Sequence, residues 1–425
     1  MSNTLEALQA IGHLGQDITP PAWLKDGEVP ASEMVAMTNG LLHLPTRTLQ
    51  PHTPDFFSLH SLAFDFDPSA PEPERWLTFV HELWGDDEES IATLGEIMGY
   101  ILGGGTEQQK LFMIVGPGRS GKGTIARVLS GLLGAHNTFG PTLASLTQVF
   151  GLAPLIGKPL AVISDARLGH RTDGMIATER LLSISGEDLL SVDRKYREAW
   201  NGKLPARFLI LTNELPRFTD ASGVLASRFI LLTLQVSFYD NPDPRLTDTL
   251  LAEAPGIFNW ALEGRDRLNA RGHFVEPASV REAKRHLEDL SAPVIAFVRD
   301  CCDIGPGFEM DKGDLFEAWK EWCLDGNRDR PGTKAVFARD LRASFPKVQP
   351  TRPRDGASRR QGFRGIQLRL RSSEPMTTPD RTDVVRDGQG SNTNVVPLRE
   401  GSHEWYEALR HNPPPEDDPD LFNDA

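Results

Sequence analysis

Cysteine is scarce. Cys301, Cys302 and Cys323 cannot build a disulfide framework in a chain of 425 residues, and no His or Cys cluster has the spacing of a zinc site. No run of eighteen apolar residues is free of charge, which excludes a membrane-spanning helix. The start, Met1 to Asp17, lacks the basic-then-apolar order of a secretory leader, so a reducing cytoplasm is the expected compartment. Excess positive charge is missing too, because 45 Lys and Arg face 59 Asp and Glu for a net charge of -14. That total argues against a nucleic-acid partner, but the charge is unevenly placed. Residues 328–371 hold 13 basic and 3 acidic side chains, whereas 372–425 hold 4 and 12. A basic block followed by an acidic tail bears on partner choice more than the sum does.

What is present reads as a soluble globular chain of two or three domains, with 39% hydrophobic and 24% charged residues. Residues 1–75, rich in Pro, Thr and His, form a mixed N-terminal segment of short strands and loops. Residues 76–108 hold two amphipathic helices. Trp76, Phe79, Val80 and Leu83 mark the first, and Ile91, Leu94, Met98, Ile101 and Leu102 the second, which Gly103-Gly104-Gly105 ends. Residues 109–265 alternate helical patterns with the apolar runs Leu111–Val115, Leu160–Ile163 and Phe208–Leu211, which predicts an α/β domain with a buried parallel sheet. In 275–371, one helix carries Leu315, Phe316, Trp319, Trp322 and Cys323. A second, capped by Thr333 and running to Ser344, is expected to bury Val336, Phe337 and Leu341. A strand follows in which Ile366, Leu368 and Leu370 alternate with Gln367, Arg369 and Arg371. Two helices and a basic β element resemble a winged helix-turn-helix. Residues 372–425, acidic and poor in apolar side chains, are expected to be disordered. No internal repeat is evident.

The strongest motif runs Gly116, Pro117, Gly118, Arg119, Ser120, Gly121, Lys122, Gly123, Thr124, after an apolar strand and at the start of a helix whose buried face carries Ile125, Val128, Leu129, Leu132 and Leu133. Glycines let backbone N–H groups turn toward a phosphate, the helix N-terminus adds positive potential, and Lys122 reaches the terminal phosphates. The residue after the lysine is Gly123 instead of the usual Ser or Thr, which leaves magnesium to Thr124 or to water. The same GKGT sequence occurs in nucleoside monophosphate kinases, which place it near the chain start and follow it with an Arg-rich lid. Here more than a hundred residues precede it.

Companion residues follow. Asp165 closes the second apolar run, where a carboxylate orients magnesium or the attacking water; it also reads as a surface loop residue. Asn213 closes the third run, placed to bond a γ-phosphate or a water nucleophile. Between these runs lies Ser185–Arg197, with Arg194, Lys195, Tyr196 and Arg197; alone it reads as a solvated charged hairpin. Arg228, before another apolar run, alone reads as structural.

Together, in this order and spacing, these pieces resemble superfamily 3 helicases, specifically the phage and plasmid primase-helicase group related to the poxvirus primase-helicase. The resemblance covers about residues 35 to 370 and includes Asn39-Gly40, His52–Asp55, Gly99-Tyr100 and Gly256–Ala261. It implies an AAA+-like P-loop NTPase core, with Gly116–Thr124 as the Walker A loop and Asp165 as the Walker B acid. It likewise implies Asn213 as sensor 1, Lys195 as the pore-hairpin base that grips DNA, and Arg228 as an arginine finger reaching a neighbour's ATP. Thr124 and Asp165 would hold Mg2+. The activity implied is ATP-dependent DNA unwinding by a hexameric ring in the host cytoplasm of a phage, prophage or plasmid. Arg194 and Arg197 would join Lys195 on single-stranded DNA. Arg339, Arg342, Arg359, Arg360 and Arg364 would dock duplex DNA through phosphates. No primase domain with a clustered acidic triad is recognisable in 1–75, so priming is expected from a separate primase or initiator. Two other readings stay open: an ATP-regulated DNA-binding initiator without unwinding activity, and a nucleotide kinase.

Overall fold

Short strands suit a segment punctuated by Pro, Gly and Thr, and short strands are what residues 18–75 hold in the computed structural model. The structure describes residues 18–166, 174–218, 220, 222–240, 242–326, 331–351 and 361–369. Strands β1 (Met34–Met37), β2 (Gly40–His43) and β3 (Thr48–Gln50) form an antiparallel meander. Asn39, at its first turn, clamps the chain by exchanging two 2.9 Å hydrogen bonds with the Phe66 backbone. Helices α1 (Glu74–Trp84) and α2 (Glu88–Leu102) follow. Helix α1 buries the stripe its spacing predicts. Helix α2 is buried on nearly every side, Thr93, Gly95, Glu96, Ile97, Gly99 and Tyr100 included, because the later helix Ala254–Arg271 covers the face expected to be wet. The Asp87 carboxylate caps α2 by accepting from the Ser90 N–H at 3.1 Å.

The α/β domain comes next. Its elements are β4 (Leu111–Val115), α3 (Lys122–Leu133), β5 (Thr138–Phe139), β6 (Leu160–Ile163), α4 (Gly174–Ser185), β7 (Leu190–Arg194), β8 (Arg197–Gly202), β9 (Arg207–Thr212), α5 (Val224–Arg228) and β10 (Phe229–Thr233). Among the described residues, five of these strands make one parallel sheet in the order β10-β4-β9-β6-β5. The three apolar runs supply its centre. The sheet is buried on both faces, which is why those runs read as continuous apolar stretches. Phe112, Ile114, Leu209, Leu211, Ile230 and Leu232 face one core, shared with α1, α2 and α3. Leu111, Met113, Phe208, Ile210, Phe229 and Leu231 face a second, shared with α4 and α5. Strands β7 and β8 stand apart as an antiparallel hairpin.

Helix α6 (Ala254–Arg271) returns against α2 with almost nothing between the backbones. A Cβ at Gly99 would fall 2.0 Å from the Ala261 carbonyl oxygen, and one at Gly264 would fall 2.3 Å from the Gly95 carbonyl carbon.

The last region holds α7 (Arg281–Ser291), α8 (Pro293–Cys301), β11 (Cys302–Asp311), α9 (Lys312–Asp325), α10 (Lys334–Ser344), β12 (Gln349–Thr351) and β13 (Gly362–Leu368). Its sheet is antiparallel in the order β11-β13-β12. Phe297, Leu315, Trp319, Phe337, Leu341, Phe363 and Ile366 fill its core, with the Trp319 and Phe337 rings stacked at 5.4 Å. The Thr333 hydroxyl caps α10 by accepting from Val336 N–H at 3.3 Å. One expectation changes here. Val336 is exposed, because the stripe α10 buries is Phe337, Ala338 and Leu341 and Val336 lies outside it in the first turn. At the end of β13, Ile366 is buried, Leu368 packs against the same core and Arg369 is exposed, as expected; upstream of these, Gly365 has a φ of 93° and Phe363 is also buried. Leu370, Arg371 and the expected disordered tail at 372–425 lie outside the described residues.

Candidate functional site

The loop 116–121 leaves the end of β4, near the middle of the sheet, and enters α3. Gly121, the N-cap of α3, has a φ of 89°, and a Cβ there would lie 2.8 Å from Leu83 Cδ2 in α1. At Gly116 a Cβ would lie 2.7 Å from the Leu234 carbonyl oxygen. Both positions therefore need glycine, one for conformation and space, the other for space. Arg119 also adopts positive φ, 56°, which is rare for a residue with a side chain. Its guanidinium lies 4.5 Å from the Tyr239 ring centre and Nη1 donates to the Tyr239 carbonyl at 3.2 Å. The chain after β10 thus straps the loop. Leu234 N–H donates to Val115 O at 2.8 Å, Ser237 Oγ to Gly118 O at 2.9 Å, and Phe238 N–H to Arg119 O at 2.9 Å. Sequence reasoning missed this strap, since nothing in Leu234–Tyr239 has a motif of its own.

Lys122 sits at the centre. Its buried Nζ donates to the carbonyls of Gly116 and Pro117, both at 2.6 Å, to Ser120 Oγ at 3.2 Å and to Asn213 Oδ1 at 3.0 Å. Burial holds its pKa below the ordinary lysine value. Four acceptors surround three N–H bonds, so the ammonium is a hub that joins the loop to the neighbouring strand.

Strand register explains the meeting. Thr212 pairs with Val115, so Asn213 emerges beside the loop. Ile163 pairs with Ile210, which places Asp165, two residues on, at the level of Thr212. Because β9 lies between β4 and β6, the carboxyl ends of three adjacent strands carry the loop, Asn213 and Asp165 in that order. Asn213 and Asp165 are both exposed. In open α/β sheets, ligands bind at this edge. Thr124 is buried, and its hydroxyl accepts from Arg127 Nη2 at 3.0 Å.

The other named residues lie elsewhere. Arg228 ends α5, and its Nη1 donates to Leu182 O at 3.2 Å and Ser185 Oγ at 3.0 Å, closing the C-terminal turn of α4 within the same chain. In the β7–β8 hairpin, Arg194 pairs with Arg197 across the turn Lys195-Tyr196, and Arg194 Nε donates to Glu198 O at 2.9 Å. Lys195 is exposed, with Nζ 5.2 Å from the centre of the Tyr196 ring, itself 93% exposed. Arg339 and Arg342 are exposed on α10, beside Asp340, which pairs with Arg339 at 2.9 Å. Arg364 is exposed on β13 and pairs with Glu309 at 3.0 Å. Arg359 and Arg360 lie outside the described residues. Among the described residues no cluster of three or more His, Cys, Asp or Glu is arranged to hold a metal, and no helix is long and apolar enough to cross a membrane.

Two family models match parts of the chain. One, described as D5 N terminal like, covers residues 1–85, and one described as a family of unknown function (DUF5906) covers residues 114–228. The second spans the loop, Asp165, the hairpin, Asn213 and Arg228. Among solved structures, the apo structure of the NrS-1 C terminal region (305-718) is similar at 16% identity, over 86% of this chain and 90% of that one, with a TM-score of 0.49. An A form apo structure of the same region is similar at 15% identity over the same shares, with a TM-score of 0.44.

Proposed function

We propose that this chain is an ATP-dependent DNA helicase that acts as a ring in the replication of a phage, prophage or plasmid. The observation that carries the reading is the Lys122 ammonium, bonded at once to the glycine-rich loop and to Asn213 at the tip of the adjacent strand. The residues present fit a nucleoside triphosphate. Glycines at 116 and 121 are packed where a side chain would collide, and a twelve-residue helix starts at the lysine. The parallel five-strand sheet is consistent with an α/β nucleotide-binding core, and the D5 N-terminal-like match supports a replication protein of the phage primase-helicase type.

On this reading Lys122 and the loop N–H groups neutralise the β and γ oxygens, Asn213 holds the γ-phosphate or the attacking water, and Asp165 orients that water. Bound magnesium would add Lewis-acid stabilisation of the phosphates, with Asp165 and Thr124 as its protein-side contacts. Arg228 would serve a neighbouring subunit's site, which requires head-to-tail subunits and hence a closed ring, a hexamer by the resemblance. Lys195, flanked by Arg194 and Arg197, would grip the phosphates of a single strand without sequence preference. The exposed Arg339 and Arg342 would dock duplex DNA.

A specific observation favours a second reading. Arg228 is engaged by α4 of its own chain, so a subunit in this state has no finger to offer, as befits an initiator in which ATP drives assembly on DNA without unwinding it. One experiment separates the readings: ATP hydrolysis by the full chain with and without single-stranded DNA, with solution mass and strand displacement measured alongside. The helicase reading expects DNA-stimulated turnover by an oligomer that displaces a strand, with Lys122→Ala lowering turnover about a hundredfold or more. DNA binding without displacement supports the initiator. Stimulation by a nucleoside monophosphate and not by DNA supports a kinase. Normal turnover in Lys122→Ala overturns the assignment of the loop.

A further inference from the structure

The loop departs from the usual pattern at Gly123, and the structure puts a particular group in the space this leaves. Arg127, one turn further along α3, folds back over the helix start. Its Nη2 donates to Thr124 Oγ1 at 3.0 Å and its Nε to Thr247 Oγ1 at 3.0 Å. Its Nη1 lies 3.1 Å from the point a Cβ at Gly123 would occupy, closer than side-chain carbons ordinarily tolerate. The guanidinium is therefore held by two hydroxyls in a position that the absence of a side chain at 123 leaves open. Five N–H bonds are available on an arginine. Two are used by the threonines, which leaves three N–H bonds beside the first turn of α3 on a residue that is exposed.

The side of the loop on which Arg127 sits indicates which part of a nucleotide it would meet. Asn213 and Asp165 belong to β9 and β6, on one flank of β4, and Lys122 leans toward them through its 3.0 Å bond to Asn213. Thr247, which anchors Arg127, comes after the strap that leaves β10, the strand on the opposite flank of β4. The terminal phosphates belong with Lys122, so the guanidinium stands toward the nucleoside end. We infer that Arg127 is a nucleotide-binding residue that donates to the α-phosphate, and that Gly123 is the position that makes room for it.

This inference rests on the phosphate-loop reading, and the test distinguishes failure of either. The affinities of the full chain for ATP, ADP, AMP and adenosine are measured by calorimetry with EDTA present, for the wild type, Lys122→Ala, Arg127→Ala, Arg127→Lys, Gly123→Ser and the Gly123→Ser/Arg127→Ala pair. Arg127→Ala is expected to weaken ATP, ADP and AMP by a common factor of about ten to a hundred, the worth of a charge-assisted hydrogen bond. Adenosine should not change, and Arg127→Lys should recover part of the loss. Gly123→Ser should weaken ATP, ADP and AMP alike and add nothing in the Arg127→Ala background, because both changes remove the same contact. Lys122→Ala should weaken ATP and ADP far more than AMP. Unchanged affinities in Arg127→Ala, or a loss confined to ATP, would overturn the α-phosphate assignment while leaving the loop intact. If Lys122→Ala binds ATP as the wild type does, or the wild type binds no nucleotide, the loop reading falls and the inference falls with it.

Discussion

Arg207 is a charge where the sequence shows only the first residue of an apolar strand. It is 4% exposed, and its guanidinium donates to the carbonyls of Ile101 at 3.2 Å, Gly104 at 3.3 Å and Pro205 at 2.9 Å. Burial pushes its pKa down to about 10, still high enough to keep it charged at neutral pH. One acceptor, Ile101, lies in the last turn of α2 and Gly104 lies just beyond it, where a cation is favoured at a helix C-terminus. Arg207→Ala is therefore expected to lower unfolding stability by about 3 kcal/mol, read from urea denaturation, with Arg207→Lys recovering only part. A loss within 0.5 kcal/mol, the usual surface scale, would show that water replaces the guanidinium at those carbonyls. Such a role is illegible in sequence because two of its three partners, Ile101 and Gly104, sit about a hundred residues away. Lys122 was legible because its partners in the loop are adjacent. Its fourth partner, Asn213, became specific only once strand order brought it within 3.0 Å.

Helices and central strands were readable because their periodicity records burial directly. The stripe of α1 and the three apolar runs fall where their spacing places them, while α2 buries its expected positions and most of its other residues as well. Edges were harder. The two-residue β5 is too short to show a pattern, and Val336 looked like core because only tertiary packing decides which of two adjacent apolar residues a short helix buries. The strap of Leu234–Tyr239 was invisible, as most of its bonds to the loop use main-chain groups common to any sequence. The crossing of α2 and α6 is another such case. Glycine lowers helix propensity, but in the fold Gly99 and Gly264 let two backbones touch. Gly99→Ala gains intrinsic helix propensity yet places a methyl 2.0 Å from a carbonyl oxygen. Net destabilisation of about 2–3 kcal/mol is expected from thermal or urea unfolding. Gly104→Ala would not serve as the control, having a φ of 82°, but Ala92→Gly on the same helix would, at a cost of about 1 kcal/mol. Equal or greater stability in Gly99→Ala would mean that the helices separate freely.

At the scale of the whole molecule, the sequence shows a net negative charge of -14 that conceals a basic block, and the exposed arginines of α10 belong to that block. The proposed shared site makes a prediction no single subunit can satisfy. Subunits carrying Lys122→Ala lack a working loop but keep Arg228, and subunits carrying Arg228→Ala have the reverse. Mixed together, they should recover part of the ATPase activity that each lacks alone, because a finger supplied in trans is worth about 10³–10⁵ in rate. No recovery at any mixing ratio, with mixed oligomers verified by mass, would confine Arg228 to closing α4. Recovery, by contrast, would require assembly to release Arg228 from Leu182 and Ser185.

The contact between Gly121 and Leu83 links these scales. The loop bears directly on the last turn of α1, with no cushioning side chain between them. If a nucleotide binds the loop as proposed, adjustment of the loop would displace Leu83 or be resisted by it, which would couple α1 to occupancy. Amide protons of Phe79 to Leu83 would report the guest's arrival by slower exchange, well away from the place where it docks.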